Sequence, residues 1–337
     1  MNTNPDPRPH PDPDPGLDNA TLTTADGRTA LRMERGLAHP PERVWAALTD
    51  PAALGKWFPA TVALDLAPGG RMDFRFPGAD AAADGMTGTV TDAEEPRLFA
   101  FTWGTDHLSW SIAPDGAGSR LTLVHTFGDL PGAASFASGW HLCVTALAQL
   151  LDGAPVSPGR DTGALHESYL HAFGLDRGTV ETVPAPETEP AGGAGGAGGT
   201  GGAAGGAGGT GGAAGGTAGG TGGSVRRVRF ERQLVRPAET VWEVLSAGIE
   251  PVAGLPVPEG FTAEKVPAGP VTEVRPPVSL TYQWEPDAAV SWELGEGTGH
   301  GARLVLTRTG PEGFDTDTAL TVWHARIERL AAALLDR

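Results

Sequence analysis

The side chains best suited to acid–base chemistry are a histidine and its neighbours in the first half of the chain. His125 lies in SRLTLVHT, where leucines stand at alternate positions. This alternation predicts a strand that turns Leu121, Leu123 and His125 toward the core. An inward histidine can orient a polar ligand or exchange a proton, with Asp106 or His107 as its polar partner. The alternative is a histidine at the edge of the core with one satisfied hydrogen bond.

Other motifs that resemble catalytic or ligand sites have plainer interpretations. His166 and His171 are five residues apart, a poor spacing for two metal ligands on one helix, so we predict no metal site. GEGTGHG, residues 295–301, lies between two predicted strands and indicates a hairpin turn rather than a nucleotide loop. The sequence has no HExxH, CxxC or GxSxG motif and no P-loop lysine. We therefore predict no catalytic residues and no cofactor.

Aromatic residues give the sequence its strongest candidate site. Many of them fall on one face of predicted strands and helices, which is first of all the pattern of a hydrophobic core. The same aromatic surface can also enclose a small apolar ligand, oriented by few polar groups. The candidate ligand-binding residues are Trp57, Phe74, Phe76, Phe101, Trp103, Trp110, His125 and Trp140.

These residues are positioned by predicted strands and helices. A strand is expected over 30–38, followed by a helix from Pro40-Pro41 to Asp50, because proline suits the first turn of a helix. A PGG turn at 68–70 leads into further strands, and apolar spacing from Phe136 to Leu151 predicts a closing helix. This is an α+β domain in which a curved antiparallel sheet wraps a long helix. The middle strands are expected over 86–94, 97–103, 107–113 and 119–127.

The pattern occurs twice in the chain. LAHPPERVWAALTD (37–50) corresponds to LVRPAETVWEVLSA (234–247), and GTVTDAEEPRLFAFTW (88–103) corresponds to GPVTEVRPPVSLTYQW (269–284). The second copy lacks roughly sixteen residues between its first helix and its middle strands, and it has Arg308 where the first has His125. WH recurs at 140–141 and 323–324, which suggests a structural hydrogen bond rather than catalysis. We predict that the second copy docks on the first, as in a pseudo-homodimer within the chain, and is not a second receptor.

Composition sets the remaining boundaries. Residues 1–27 are predicted to be a disordered Pro/Asp-rich tail, and 179–224 a linker, acidic and Pro-containing and then Gly/Ala/Thr-rich, which should be a flexible coil. The two copies are then 28–178 and 225–337.

The charge and composition also predict which partners are absent. A net charge of −17 argues against nucleic-acid binding. The sequence has no polybasic segment and no long apolar segment, so we predict that it does not bind a membrane. The single cysteine and the lack of a signal peptide favour the cytoplasm.

The order of motifs resembles a known superfamily. VWxALTDPxxLxxWF, LxPGGRMxF, GTVTxxxxPRLFAFTW, LTLVHT and SGWHxCxxxLxxLLDG together resemble the SRPBCC, or START-like, superfamily. The branch is similar to the C-terminal domain of the heat-shock protein 90 ATPase activator. The resemblance covers about residues 28–175, and the second copy departs from it. It implies tandem START-like helix-grip domains with a hydrophobic pocket in the first.

Three functions remain open from the sequence. The leading hypothesis is a non-catalytic protein that binds a small hydrophobic ligand in the first domain. The first alternative is a modulator of a chaperone ATPase, similar to the heat-shock protein 90 activators. The second alternative is a small-molecule enzyme of the superfamily, which would need a polar pair around His125.

Overall fold

The computed structural model describes residues 19–77, 85–156, 162–184, 224–299 and 301–337. These residues form an eight-stranded and a six-stranded antiparallel sheet, each packed on a long helix. Each sheet and its helices enclose a separate hydrophobic core. The predicted α+β fold of two helix-grip domains is confirmed.

The first domain contains eight strands and four helices. Its sheet has the order β1-β2-β8-β7-β6-β5-β4-β3, so the chain begins at one edge, crosses to the opposite edge at β3 and returns strand by strand until β8 lies beside β2. The strands are β1 (Ala20–Ala25), β2 (Arg28–Leu37), β3 (Thr61–Leu64), β4 (Arg71–Arg75), β5 (Met86–Glu94), β6 (Leu98–Trp103), β7 (Asp106–Asp115) and β8 (Gly118–Phe127). The helices are α1 (Pro41–Thr49), α2 (Pro51–Leu54), α3 (Ala133–Leu151) and α4 (Thr162–Ala172).

The second domain repeats this order with fewer strands. Its sheet has the order β11-β12-β13-β14-β10-β9. The strands are β9 (Thr179–Pro184), β10 (Ser224–Gln233), β11 (Val271–Arg275), β12 (Ser279–Glu285), β13 (Ala288–Glu296) and β14 (Ala302–Pro311), and the helices are α5 (Ala238–Ser246) and α6 (Thr316–Leu335). Between α5 and β11, where the first domain has α2, β3 and β4, there is a loop with one 3-10 turn at Glu259–Phe261.

Local sequence explains how the elements begin and end. Pro41 opens α1, where a missing N–H costs little, and Asp50 both ends α1 and caps α2 by accepting a hydrogen bond from the Ala53 amide at 2.9 Å. In β8 the alternation is regular: Leu121, Leu123 and His125 are each 1% exposed. This places His125 on the core face, as the sequence predicts.

The closing helix α3 lies against the sheet, where its Trp140 and Leu147 are buried. Among the described residues, Leu130–Leu151 is the one segment long and apolar enough to cross a membrane by length and composition. Its apolar face is already buried on the sheet.

Two expected boundaries differ from the structure. Residues 20–25, within the expected tail, form β1, whose alternating threonines pair with β2. Residues 179–184, within the expected linker, form β9, which pairs with β10 in the register Pro184↔Ser224. Threonine and valine favour strands, but the acidic and proline residues around them hid this signal. Residues 185–223 lie outside the described residues; they join two adjacent strands of the second sheet rather than the two domains.

The two domains meet through polar contacts. The connection from α4 to β9 spans only residues 173–178. Asp129, beside α3, accepts hydrogen bonds at 2.6 Å from Arg303 of β14. The buried Arg232 of β10 pairs with Glu167 of α4 and with Glu328 of α6. The domains therefore contribute different elements to the interface, unlike the matching surfaces of a symmetric homodimer.

Candidate functional site

A chain of three hydrogen-bonded side chains crosses the core of the first domain. The indole N–H of Trp140, on α3, donates to Nδ1 of His125 at 3.1 Å. Nε2 of His125 lies 3.1 Å from the Asp106 carboxylate, at the start of β7. His125 is 1% exposed and its bond to Trp140 is buried, whereas Asp106 is 22% exposed, so the second bond lies at the edge of the core. The closing helix is thereby joined to the sheet by a polar link as well as by apolar packing.

The chemistry of these partners determines where the proton of His125 lies. An indole nitrogen can only donate, so Nδ1 must be the unprotonated nitrogen. Nε2 then carries the proton and donates a hydrogen bond to the Asp106 carboxylate. The imidazole is neutral in this arrangement, and both of its nitrogens are occupied. It is therefore a fixed orienting group and has no free lone pair to act as a general base.

Aromatic rings surround this polar link. Trp103 stacks on Phe76 with ring centroids 6.0 Å apart, on Phe74 at 5.8 Å and on His125 at 6.4 Å. Trp140 meets Trp103 edge-on at 5.5 Å. Such offset and edge-to-face pairs stabilise a core beyond simple burial. The rings form one continuous surface from the His125 end of the domain to its centre.

Side chains fill the centre of this surface. The cavity among Trp57, Phe58, Phe101 and Trp110 measures about 10 Å³. That is close to the minimum for one water molecule and far below the ~300 Å³ of a typical ligand pocket. A ligand could enter this core only by displacing side chains.

One polar atom of the core has no partner among the described residues. The indole N–H of Trp103 is buried and donates to no acceptor. Buried donors are satisfied in nearly all native structures, so an orphan calls for an explanation. It lies at the His125 end of the core, where Phe76 is only partly buried.

All eight sequence-predicted ligand residues lie in the same core. Whether they bind a ligand stays a prediction. Of the two candidate partners for His125, the structure brings Asp106 to it, whereas His107 bonds Thr91 at 3.1 Å. Strand alternation separates the two neighbours, because adjacent residues point to opposite faces. Six of the eight are at most 4% exposed, namely Trp57, Phe74, Phe101, Trp110, His125 and Trp140. The other two, Phe76 and Trp103, are half-buried at the edge of the core.

Sequence reasoning missed two aromatic members of the site. Phe58 follows Trp57 and contacts Phe74, Phe101, Trp103 and Trp140. Phe136, at the start of α3, lies 4.7 Å from His125. Phe136 carried a signal, since it begins the apolar stripe of the closing helix. Phe58 carried none, because it lies in an irregular turn without periodicity.

The other motifs also have defined places. GEGTGHG connects β13 to β14, as expected for a hairpin turn, and its Thr298 bonds Asp129 of the first domain. His141 bonds the Tyr169 hydroxyl through Nδ1 at 2.9 Å and His324 bonds the Asp176 carboxylate through Nε2 at 3.0 Å, so each makes a hydrogen bond but the two copies do not share the same one. His166 and His171 do not form a pair; His171 instead lies near Asp176 and Glu328.

Comparison with known proteins agrees with this fold. Residues 38–152 match the family model described as Activator of Hsp90 ATPase homolog 1-like protein. The first domain is AHSA1-like. The match covers less than half of the chain and does not include the second domain. No curated protein matches the chain.

Several solved structures are similar to part of the chain. EF2215 from Enterococcus faecalis, a conserved protein of unknown function, has 19% identity and a TM-score of 0.41, over 46% of this chain and 91% of its own. CalU16 from Micromonospora echinospora has 19% identity and a TM-score of 0.37, over 46% and 93%. A protein encoded by BPP1335 from Bordetella parapertussis has 26% identity and a TM-score of 0.35, over 42% and 84%.

Proposed function

We propose that this is a non-catalytic, cytoplasmic binding protein whose AHSA1-like domain takes one small planar aromatic molecule bearing a hydrogen-bond acceptor. The observation that carries the proposal is the buried Trp103 indole N–H, which has no acceptor among the described residues. A ligand carbonyl or carboxylate at this point would satisfy it. The fold supports a ligand-binding or activator-like domain, and this donor favours the first.

The stacking around Trp103 defines where the ligand would lie. The rings of Phe76 and Trp103 are almost parallel, with an interplanar angle of 13°. Phe76 follows the last residue of β4 and is half-buried, so it is the ring that can leave at least cost. A planar ligand that replaces Phe76 would keep the stacking, and its acceptor would have to reach around the edge of the Trp103 ring, because the indole N–H lies in the ring plane. His125 and Trp140 would form the rigid floor of this site.

The same geometry argues against the enzyme alternative. His125 is the inward histidine that would have to exchange a proton, and its two nitrogens are held by Trp140 and Asp106. A general base must reach the substrate with a free lone pair. We therefore propose an orienting role for His125.

A titration with Prodan, a planar fluorophore with a ketone acceptor, tests the proposal. The full chain should give saturable, blue-shifted emission near one equivalent. Trp103→Phe keeps the ring and removes the N–H, so binding should weaken by about tenfold, the value of one hydrogen bond to a buried donor. The matched control is Trp284→Phe in the second domain, which should leave the affinity unchanged.

A second variant separates site opening from recognition. Phe76→Ala vacates the proposed position and should tighten Prodan binding, because no side chain has to be displaced. If neither the wild type nor Phe76→Ala shows saturable binding, the core of this domain is only structural. Equal losses in Trp103→Phe and Trp284→Phe would place the fluorophore elsewhere.

The matched family supplies a second candidate, modulation of a chaperone ATPase. Its support is the match of residues 38–152 to the Hsp90 ATPase activator homologue family. A function at the protein surface would also agree with a core that side chains already fill. The test is the ATPase rate of purified Hsp90 with and without the full chain. Stimulation that survives Phe76→Ala and Trp103→Phe would rank this function above ligand binding.

A further inference from the structure

Side chains from both domains form a cluster of histidines and carboxylates at the domain interface. His171 and Asp176 come from α4 and the connection after it, and His324 and Glu328 come from α6. Nδ1 of His171 lies 3.4 Å from the Asp176 carboxylate, and its Nε2 lies 3.4 Å from Glu328. Nε2 of His324 lies 3.0 Å from the same Asp176 oxygen. One ligand atom each from Asp176, His324 and Glu328 thus lies within 4.8 Å of the other two, and His171 lies beside two of these residues.

Local structure explains this convergence. His324 and Glu328 are four residues apart on α6, so they lie on the same face of the helix. On the other side, α4 ends in a left-handed glycine, Gly174, with φ of 66°. The Leu175 amide then bonds the Leu170 carbonyl at 3.0 Å, which closes the turn. This turn brings Asp176 back beside His171.

The charge of the cluster is unbalanced. Three carboxylates, those of Glu167, Asp176 and Glu328, lie in this region with one cation, the Arg232 guanidinium, which is 1% exposed and pairs with Glu167 and Glu328. With neutral imidazoles the cluster carries an excess of two negative charges. Half-buried charge of this kind requires a counter-charge.

We propose that Asp176, His324 and Glu328 bind one divalent transition metal ion, best Zn²⁺, which links the AHSA1-like domain to the second domain and keeps a fourth position open to water. Nε2 of His324 and the nearest Asp176 oxygen are 3.0 Å apart, close to the spacing of two ligands on one ion. Tetrahedral Zn²⁺ with bonds of about 2.0–2.1 Å holds its ligands about 3.3–3.4 Å apart. Ligand atoms of Asp176, His324 and Glu328 already lie within 4.8 Å of one another. The ion would also supply the missing two positive charges.

The ligand types select the metal. One imidazole and two carboxylates suit Zn²⁺ or its transition-metal neighbours, whereas Mg²⁺ and Ca²⁺ prefer oxygen ligands alone. The side chains of His171 and His324 are 47% and 41% exposed, so an ion can reach them from solvent. The alternative counter-charge is two protons, one on each histidine. The experiment below distinguishes a bound metal ion from protonated histidines.

The test uses metal-free, untagged full-length protein. Calorimetric titration should show one Zn²⁺ per chain, and Co²⁺ should give the intense visible absorption of a tetrahedral site. His324→Ala should weaken Zn²⁺ binding at least tenfold. His39→Ala is the matched control, because His39 also pairs with a carboxylate, Asp152 at 2.7 Å, but lies outside the cluster. It should bind like the wild type.

Circular dichroism of each variant establishes that loss of binding is not loss of folding. If His324→Ala is unfolded, His324→Gln and the Co²⁺ spectrum of the wild type decide the question. Absence of stoichiometric Zn²⁺ binding by the folded wild type overturns the proposal. An equal loss of Zn²⁺ binding in His39→Ala also overturns it. A third contrary outcome is an interface whose stability changes with pH between 5 and 8 but not with Zn²⁺, which would mean that protons are the counter-charge.

Discussion

His125 of the first domain and Arg308 of the second occupy equivalent positions but are held in different ways. His125 has two hydrogen bonds, one inside the core and one at its edge. The Arg308 guanidinium lies over the rings of Phe314 and Trp284, at 4.8 and 5.8 Å from their centroids, and its buried Nε has no acceptor in the described chain. Burial lowers the pKa of Arg308, although Tyr282 and Asp315 oppose this effect. One position orients a polar group, and the other covers aromatic rings with a cation.

The region between the first helix and the middle strands shows a second difference. In the first domain Trp57 packs edge-on against Trp110 at 5.7 Å. In the second, Phe261 packs against Trp292 in the same way at 5.8 Å, although the sequence showed no counterpart of Trp57. Arg326 donates to the Gly260 carbonyl and thereby holds this loop in place. Its equivalent on α3 is Cys143.

The comparison shows that one framework can be completed in two ways. The first domain retains β3 and β4 and has a fixed histidine at one end of its core, whereas buried donors without an acceptor occur in both domains, at Trp103 and at Trp323. The second replaces both strands with the loop 249–270 and closes its core with Phe261. Its interface residues Arg232, Arg303 and His324 instead contact the first domain. This supports our proposal that only the first domain is a receptor.

The largest expected effect comes from the two tryptophans on the closing helices. Trp140 and Trp323 are 4% and 0% exposed. Substitution of either by alanine should destabilise its own domain by about 3–5 kcal/mol, through lost contacts and the cavity left behind. Denaturant unfolding followed by circular dichroism measures both. A melting temperature within about a degree of wild type would mean that the helix does not close the core.

Phenylalanine variants distinguish the two tryptophans. Trp140→Phe leaves Nδ1 of His125 without its donor, which should add about 1–3 kcal/mol to the cost of the smaller ring. Trp323 donates to no acceptor among the described residues, so Trp323→Phe should lack this term. Equal costs for the two would contradict the hydrogen bond from Trp140 to His125.

The next effect concerns the hairpins that open each sheet. In the first domain Asp26-Gly27 joins the paired residues Ala25 and Arg28, whereas in the second 39 residues, 185–223, separate the paired Pro184 and Ser224. If the long segment is the coil that its composition predicts, closing it costs about 0.6 kcal/mol more for each doubling of length. Replacing 185–223 by Asp-Gly should therefore stabilise the second domain by about 2.5 kcal/mol. A destabilised or unfolded product would show that β9 and β10 are not adjacent strands.

A smaller difference is expected for the equivalent inward residues. His125→Leu leaves the Trp140 N–H and the Asp106 carboxylate without a partner and should cost about 1–3 kcal/mol. Arg308→Leu removes a cation–π contact together with the cost of burying a cation. Its net effect should be below about 1 kcal/mol in either direction. Chemical denaturation of both variants tests this ranking, and a larger loss for Arg308→Leu would reverse it.

Sequence periodicity was sufficient to predict the strands and helices and which residues face the core. It was not sufficient to predict which side chains bond to one another. The strand alternation at His125 and the helical stripe of Trp140 placed both residues on the core side. Their hydrogen bond was not predictable, because it depends on how far α3 sits along the sheet. The strand β9 was obscured by its composition, and the contact of Phe261 with Trp292 joins residues 31 positions apart, without any local pattern. The interface cluster needs residues from α4 and α6, which no spacing in the sequence connects.

The finest test of the comparison uses Cys143 as a reporter of the first domain alone, because the effect of Trp323→Ala on that domain should be the smallest of all. Burial raises the pKa of this thiol to about 12, so its reactive thiolate is scarce in the native state. Labelling by a thiol reagent at pH 8 should therefore follow opening of the first domain. Trp140→Ala should accelerate labelling by on the order of a hundredfold or more, in proportion to its loss of stability. Because the two cores are separate, Trp323→Ala should accelerate it far less. Equal acceleration by both variants would mean that the interface around Arg232 makes the two domains unfold as one.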